Sequence, residues 1–262
     1  MKRFAAAALL VAMLATQTPG RAAAHTAAEF AAITERGRYL AQYDQAAWHA
    51  TDAVLLKAPK NDPNVRVFVA RQTGSQWVVD FGKLNDDNTL FLTAYEATEA
   101  GDLQHFTVAS FAEPRPEPGF LTAAAIGIAH AILAFGPIRR PYNIAVLPLP
   151  DATFYVYLYP AQTQKNIYPL GGDERFLLSA DGKTIKERRR MHESILEIAP
   201  VVPDHATEVA GFHTAILADI PEDTDVFHVL ARRPLEPEYV AAKGELYMIM
   251  TDGTIQDKGP VK

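Results

Sequence analysis

The chain has no cysteine among its 262 residues. Disulfides, thiolate nucleophiles and cysteine-ligated zinc are excluded, and so is a lipid anchor, which needs a cysteine beside the signal. An exported protein of this composition has to hold together by burial rather than by covalent staples. Familiar catalytic motifs are missing too. There is no Gly-x-Ser-x-Gly elbow, no His-Glu-x-x-His, no phosphate-cradling Gly-x-x-x-x-Gly-Lys and no dinucleotide fingerprint. These absences remove the families that carry the motifs and leave other enzymes open. A long basic block is also lacking: 25 Lys and Arg stand against 31 Asp and Glu, a formal charge of −6. Such a chain is a poor match for nucleic acid or an anionic lipid surface. No fixed period points to a solenoid or propeller.

What is present begins with an export pattern. Lys2 and Arg3 precede an apolar run from Phe4 to Leu14, Pro19-Gly20 breaks it, and Ala22-Ala23-Ala24 offers small residues to a signal peptidase. This order predicts a secretory signal over residues 1–24, cleavage near Ala24 and a periplasmic or secreted mature chain. The apolar run is well short of the roughly 20 residues of a spanning helix. Loss of Lys2, Arg3 and Arg21 changes the formal charge from −6 to −9.

Residues 25–262 are expected to form a single α+β domain. Thr26-Ala-Ala-Glu29 is a capping box, and Ile33, Leu40, Ala47 and Val54 recur every seventh residue to the breaker Pro59–Pro63. An amphipathic helix is the expectation there. Short β-rich runs separated by turn clusters then suggest an antiparallel meander over residues 65–111. Glu113–Gly119 carries three prolines and is the best candidate for a linker or sub-boundary. Phe120–Ile138 is uncharged. Its glycines, His130 and Pro137 favour a buried apolar helix near 120–136 over a stable membrane span.

The remainder reads as strand-rich. Asp181-Gly182 and Asp252-Gly253 are tight-turn signals for hairpins. Residues 183–198 fit either helix or strand, with the turn favouring a return strand. Residues 212–217 and 225–232 are expected to pair as another hairpin across Pro221–Thr224.

Four groups of residues could carry chemistry. The first is histidine: His192, His205, His213 and His228, with Asp173 as a nearby carboxylate candidate. Neutral imidazole is a common transition-metal ligand, and a carboxylate can orient it. The spacings match no established ligand pattern, and ordinary surface histidines are the competing reading. The second is Tyr155, Tyr157 and Tyr159. Strand alternation puts all three on one face, where a phenol stripe could meet a small ligand or a protein. The third is Gly171-Gly172-Asp173, whose glycines permit close backbone approach. The fourth is the basic run Lys186–Arg190, which reads as a solvated face. Asp219, Glu222, Asp223 and Asp225 likewise read as a solvated acidic loop.

Two functions remain open on this reading. One is a non-catalytic exported protein that binds an unknown protein or small molecule through its sheet surface. The other is a metal-dependent or His/carboxylate hydrolase built on His192, His213, His228 and Asp173. No cofactor is expected beyond a divalent metal in the second case.

Overall fold

The computed structural model describes residues 25–198 and 209–261, an α+β fold with three helices and fourteen strands. The signal segment and His205 lie outside the described residues. Helix α1 (Ala27–Leu55) opens on the expected capping box, with Thr26 and Glu29 each accepting from the other's backbone N–H. Its stripe of Ile33, Leu40, Ala47 and Val54 is buried as the seven-residue period predicts.

Strands β1 (Val67–Thr73), β2 (Gln76–Leu84), β3 (Phe91–Glu99) and β4 (Phe106–Glu117) form the meander, antiparallel and in sequence order. The proline-rich stretch departs from the linker reading. Most of it continues β4, with Pro116 opposite Leu92. Strand β4 is an edge, so its prolines lack N–H groups where no further strand needs them. Helix α2 (Phe120–Phe135) follows. Leu121, Ala124 and Ile128 are buried while Leu133 is exposed. No described helix is long and apolar enough to cross a membrane.

A second sheet combines β5 (Tyr142–Pro148) and β6 (Phe154–Pro160) with β8 (Glu174–Leu178) and β9 (Ile185–Arg190), in the order β5-β6-β8-β9. Between β6 and β8, strand β7 (Tyr168–Gly171) pairs with β10 (Ile195–Ile198). The ambiguous stretch 183–198 is thus two short strands.

The largest correction falls beyond residue 210. Strand β11 (Gly211–Ala215) leads into helix α3 (Asp223–Ala231), not into a hairpin partner. Its sheet continues with β12 (Glu238–Ala242), β13 (Glu245–Ile249) and β14 (Ile255–Pro260), in the order β11-β12-β13-β14. Strand β11 runs parallel to β12 with α3 as the crossover. That geometry explains the helix, because parallel neighbours cannot be joined by a tight turn. His213 and His228 therefore share no hairpin face.

Two apolar cores result. The larger joins α1 and α2 to the first two sheets, and the smaller joins Ile33 of α1, Val226 and Val229 of α3, and the third sheet. Gly37 lets α1 approach α3, since a Cβ there would run into Val226 and the Asp223 carbonyl.

Two outcomes follow from this packing. Gly182 sits at φ +73° and a Cβ would strike the Ala123 carbonyl oxygen of α2. Gly182→Ala should therefore cost about 3 kcal/mol in urea unfolding, from left-handed strain plus overpacking.

Asp80 in central strand β2 is fully buried, with Arg71 at 3.1 Å. Burial pushes its carboxyl up to about 6, outweighing Arg71, while Glu96 and Glu117 add to the rise. The unfolded chain then holds fewer protons than the folded one between the ordinary value and about 6. Stability should fall as pH rises through that window and level off above it. Asp80→Asn should abolish that component of the pH dependence, as read by denaturation midpoints from pH 4 to 8.

Candidate metal centre

The centre is built around the first turn of α3. Pro221 precedes an acidic turn, Glu222, Asp223 and Asp225, placed where the helix dipole favours negative charge. Glu222 is the N-cap, and its backbone N–H donates to Asp225 Oδ2 at 2.7 Å. That bond fixes the carboxylate and turns Oδ1 toward two histidines. His192 comes from the turn after β9 and His213 from the middle of β11. Their Nε2 atoms stand 2.9 and 3.1 Å from Asp225 Oδ1.

The opposite ring nitrogens are anchored. His192 Nδ1 lies 2.8 Å from Asp173 Oδ1, and His213 Nδ1 lies 3.0 Å from Glu238 Oε1. A carboxylate can only accept here, so each Nδ1 carries the proton. Glu238 is in turn held by Arg232 at 3.0 Å. The backbone makes room for both anchors. At Gly211 a Cβ would collide with Glu238, and at Gly171, φ +85°, it would collide with the Ser194 carbonyl next to His192.

The inner atoms are different. Despite their short separations, His192 Nε2, His213 Nε2 and Asp225 Oδ1 have no hydrogen-bond partner among the described residues. All three residues are buried, and one donor atom of each lies within 4.8 Å of the others. Zinc bonds of 2.0–2.1 Å at tetrahedral angles place neighbouring donors about 3.3 Å apart. The two histidine–Asp225 spacings, 2.9 and 3.1 Å, lie somewhat inside that edge. A carboxylate behind each ligating ring is the usual outer arrangement of a histidine metal site.

The electrostatics show what the cluster does without a cation. Burial disfavours charged rings, but Asp225 and Asp173 outweigh it and hold His192 up to about 11. His213 is pushed up to about 9, again against burial and chiefly by Asp225. Burial would raise Asp225, yet the two rings hold it far below the carboxylate range. Both rings are thus held charged against Asp225 Oδ1 at ion-pair distance.

The turn also carries a completed ion-pair cluster. Asp223 accepts from Arg36 Nε at 2.8 Å, Arg175 Nη1 at 2.5 Å and the Tyr157 hydroxyl at 2.8 Å. Burial pushes Glu222 up to about 7, against the pull of Arg189 at 2.5 Å.

Of the residues singled out from sequence, the fold unites His192, His213 and Asp173. His228 lies three residues beyond Asp225 on α3, buried, its Nε2 unpartnered among the described residues. Burial pushes its ring down to about 4. It is outside the three-donor group.

The tyrosines do not form an exposed stripe. Tyr157 and Tyr159 are buried because α1 and α3 cover that face of β6, and their hydroxyls donate to Asp223 and to Asp44. Tyr155 is half-buried, with the Arg175 guanidinium 4.5 Å from its ring centre. The acidic loop is likewise not solvated at Glu222, Asp223 and Asp225, all buried. The basic run meets carboxylates, Arg188 on Glu174, Arg189 on Glu222 and Arg190 on Glu193.

Asp225 and Glu238 are the site residues that sequence reasoning missed. The available signal was the helix start itself. Proline followed by an acidic turn marks a helix N-terminus, and a helix there separates Asp225 from the loop acids and sets it near His228. No protein-family model matches the chain, and no curated protein or solved structure is significantly similar to it.

The Asp223 cluster generates a direct test of fold stability. Asp223→Ala leaves the guanidiniums of Arg36 and Arg175 facing each other without their shared carboxylate. Chemical denaturation should show a loss of about 3–5 kcal/mol, the range for breaking a buried ion pair.

Proposed function

We propose that the chain is an exported metal-binding protein. It holds one divalent transition-metal ion, with zinc the first expectation, on His192 Nε2, His213 Nε2 and Asp225 Oδ1. The observation that carries this reading is the pairing of anchored outer nitrogens with unbonded inner atoms. With each ring tied at Nδ1, a divalent cation can displace the Nε2 protons and take both ring lone pairs together with Asp225 Oδ1. Imidazole and carboxylate together suit zinc and its first-row neighbours, and the absence of cysteine agrees with an oxygen and nitrogen donor set.

The burial of all three donors supports an ion that fixes structure over one that meets a substrate. Its ligands come from β11, α3 and the turn after β9, so the ion would clamp the third sheet to the second. This favours the metal while setting aside the hydrolase reading that accompanied it. The secretory pattern at residues 1–24 supports export.

Native mass spectrometry of the untagged, exported protein tests both parts. The expected species is a chain beginning near His25 with one bound metal, removed by chelator with a fall in melting temperature. His213→Ala and Asp225→Ala should lose stoichiometric metal. Asp173→Asn and Glu238→Gln should keep it with affinity weakened about 10–100-fold, the usual effect of outer-shell partners. If zinc, copper, nickel, cobalt and manganese all fail to bind or to raise the melting temperature, the cluster is an ion-pair ladder and the reading is lost.

A further inference from the structure

A second site is lined by Asp44 and Trp48 of α1 and reaches α3 at Phe227 and His228, none of them in the proposed metal-ligand group. Asp44 and Trp48 lie four residues apart on α1, one turn on the same face. Around them are two hollows of about 240 and 410 Å³. Both are lined by Asp44, Trp48, Asn143, Tyr159 and Gln162, so they meet along that line of residues. Individually they are at the small end of ligand sites, and together they lie within the usual range.

Asp44 is a recessed carboxylate with only half of its capacity used. Asn143 Nδ2 at 3.0 Å and the Tyr159 hydroxyl at 3.1 Å both donate to Oδ1. Oδ2 accepts no hydrogen bond from the described residues and is left for a ligand. Trp48 is 57% exposed, on a helix that buries its Ile33, Leu40, Ala47 and Val54 stripe. His49 stacks on the indole at 4.7 Å and 15°, which supports the ring without covering both of its faces. At the far wall of the smaller hollow is His228, 2% exposed, with Nε2 unpartnered among the described residues.

The chemistry of the walls selects the ligand class. Asp44 and Arg233 bring one charge of each sign to the smaller hollow, so neither an ammonium nor an anion is complemented overall. The remaining polar lining is the primary amides Gln45, Asn143 and Gln162, with paired donors and acceptors, the hydroxyls of Tyr159 and Tyr168, and His228. An exposed indole face, planar amides and one recessed carboxylate suit a ring that is apolar on its C–H face and hydroxylated at its rim. Two hollows meeting at Asp44 and Trp48 give room for two such rings.

We infer that this cleft binds an uncharged oligosaccharide spanning at least two sugar rings, stacked on Trp48 with a hydroxyl donating to Asp44. The test uses the full-length protein with α- and β-linked disaccharides of glucose, galactose and N-acetylglucosamine, and with choline and glycylglycine as charged comparators. Isothermal titration gives the affinity. Tryptophan emission reports the location, because the only other tryptophan, Trp77, is 3% exposed. The expected result is a disaccharide binding with a dissociation constant below about 1 mM, in the range of weak specific association, with a change in Trp48 emission. Trp48→Ala should weaken it at least tenfold, and Trp48→Phe, which keeps an aromatic face, should retain most of the affinity. The exposure of Trp48 makes both variants safe for folding. Failure of every disaccharide to bind, wild-type affinity in Trp48→Ala, or binding of choline or glycylglycine alone would each overturn the inference.

Discussion

Buried charge at the start of α3 is the constraint from which the rest of the structure follows. Asp223 and Asp225 are both fully buried, two residues apart on one helical turn. Each ion so buried costs several kcal/mol unless it is paired and hydrogen-bonded. The partners cannot come from the helix itself. They arrive from Arg36 on α1, Arg175 on β8, His192 after β9 and His213 on β11. Pulling any of these elements away would strand a charge in an apolar setting. The helix thereby ties α1 and the second sheet to the third sheet by a requirement stronger than contact area, and a short chain of apolar contacts with Val226 and Val229 completes the packing.

The two aspartates also serve as internal references for one another. They share a helix, a depth of burial and a surplus of cationic neighbours. Asp223 meets its partners with ordinary hydrogen-bond geometry on both oxygens, and the cluster is closed. Asp225 closes only Oδ2, through the N-cap backbone. Its Oδ1 and the two facing Nε2 atoms converge without bonding. With both outer nitrogens held by carboxylates, the three inner atoms converge on one point, and the metal proposal rests on that convergence.

Much of the architecture was legible as pattern. The capping box and seven-residue stripe gave α1, turn clusters gave the meander, and Asp181-Gly182 and Asp252-Gly253 gave hairpins. The failures have physical causes. Val226-Phe-His-Val229 is β-branched and aromatic, so local preference favours strand, and only the parallel β11–β12 pairing imposes a crossover helix. Alternation in β6 correctly grouped Tyr155, Tyr157 and Tyr159, but a period of two cannot say which face a helix will cover. Prolines at 114, 116 and 118 signal extended backbone without revealing that it continues an edge strand. The three histidine-site residues found from sequence were identified by type rather than spacing. Asp225 and Glu238 were hidden because their neighbours come together only through the third sheet.

The geometry of α3 joins the proposed ion to the cleft. Asp225 and His228 are three residues apart and adjacent on the helix surface. Phe227 on the next position packs on Tyr159 at 4.8 Å, and both line the smaller hollow. The wall of the cleft is therefore part of the same nine-residue helix whose first turn supplies the carboxylate ligand. So short a helix has little intrinsic stability in water and takes its order from tertiary contacts. An ion bound at Asp225 would hold the first turn, and the remaining turns would follow because the backbone hydrogen bonds couple them. A buried structural ion and an open polar cleft are then not competing accounts of one protein. The first would give the second a rigid wall, and rigid walls lower the ordering cost of binding a weakly held polar ligand.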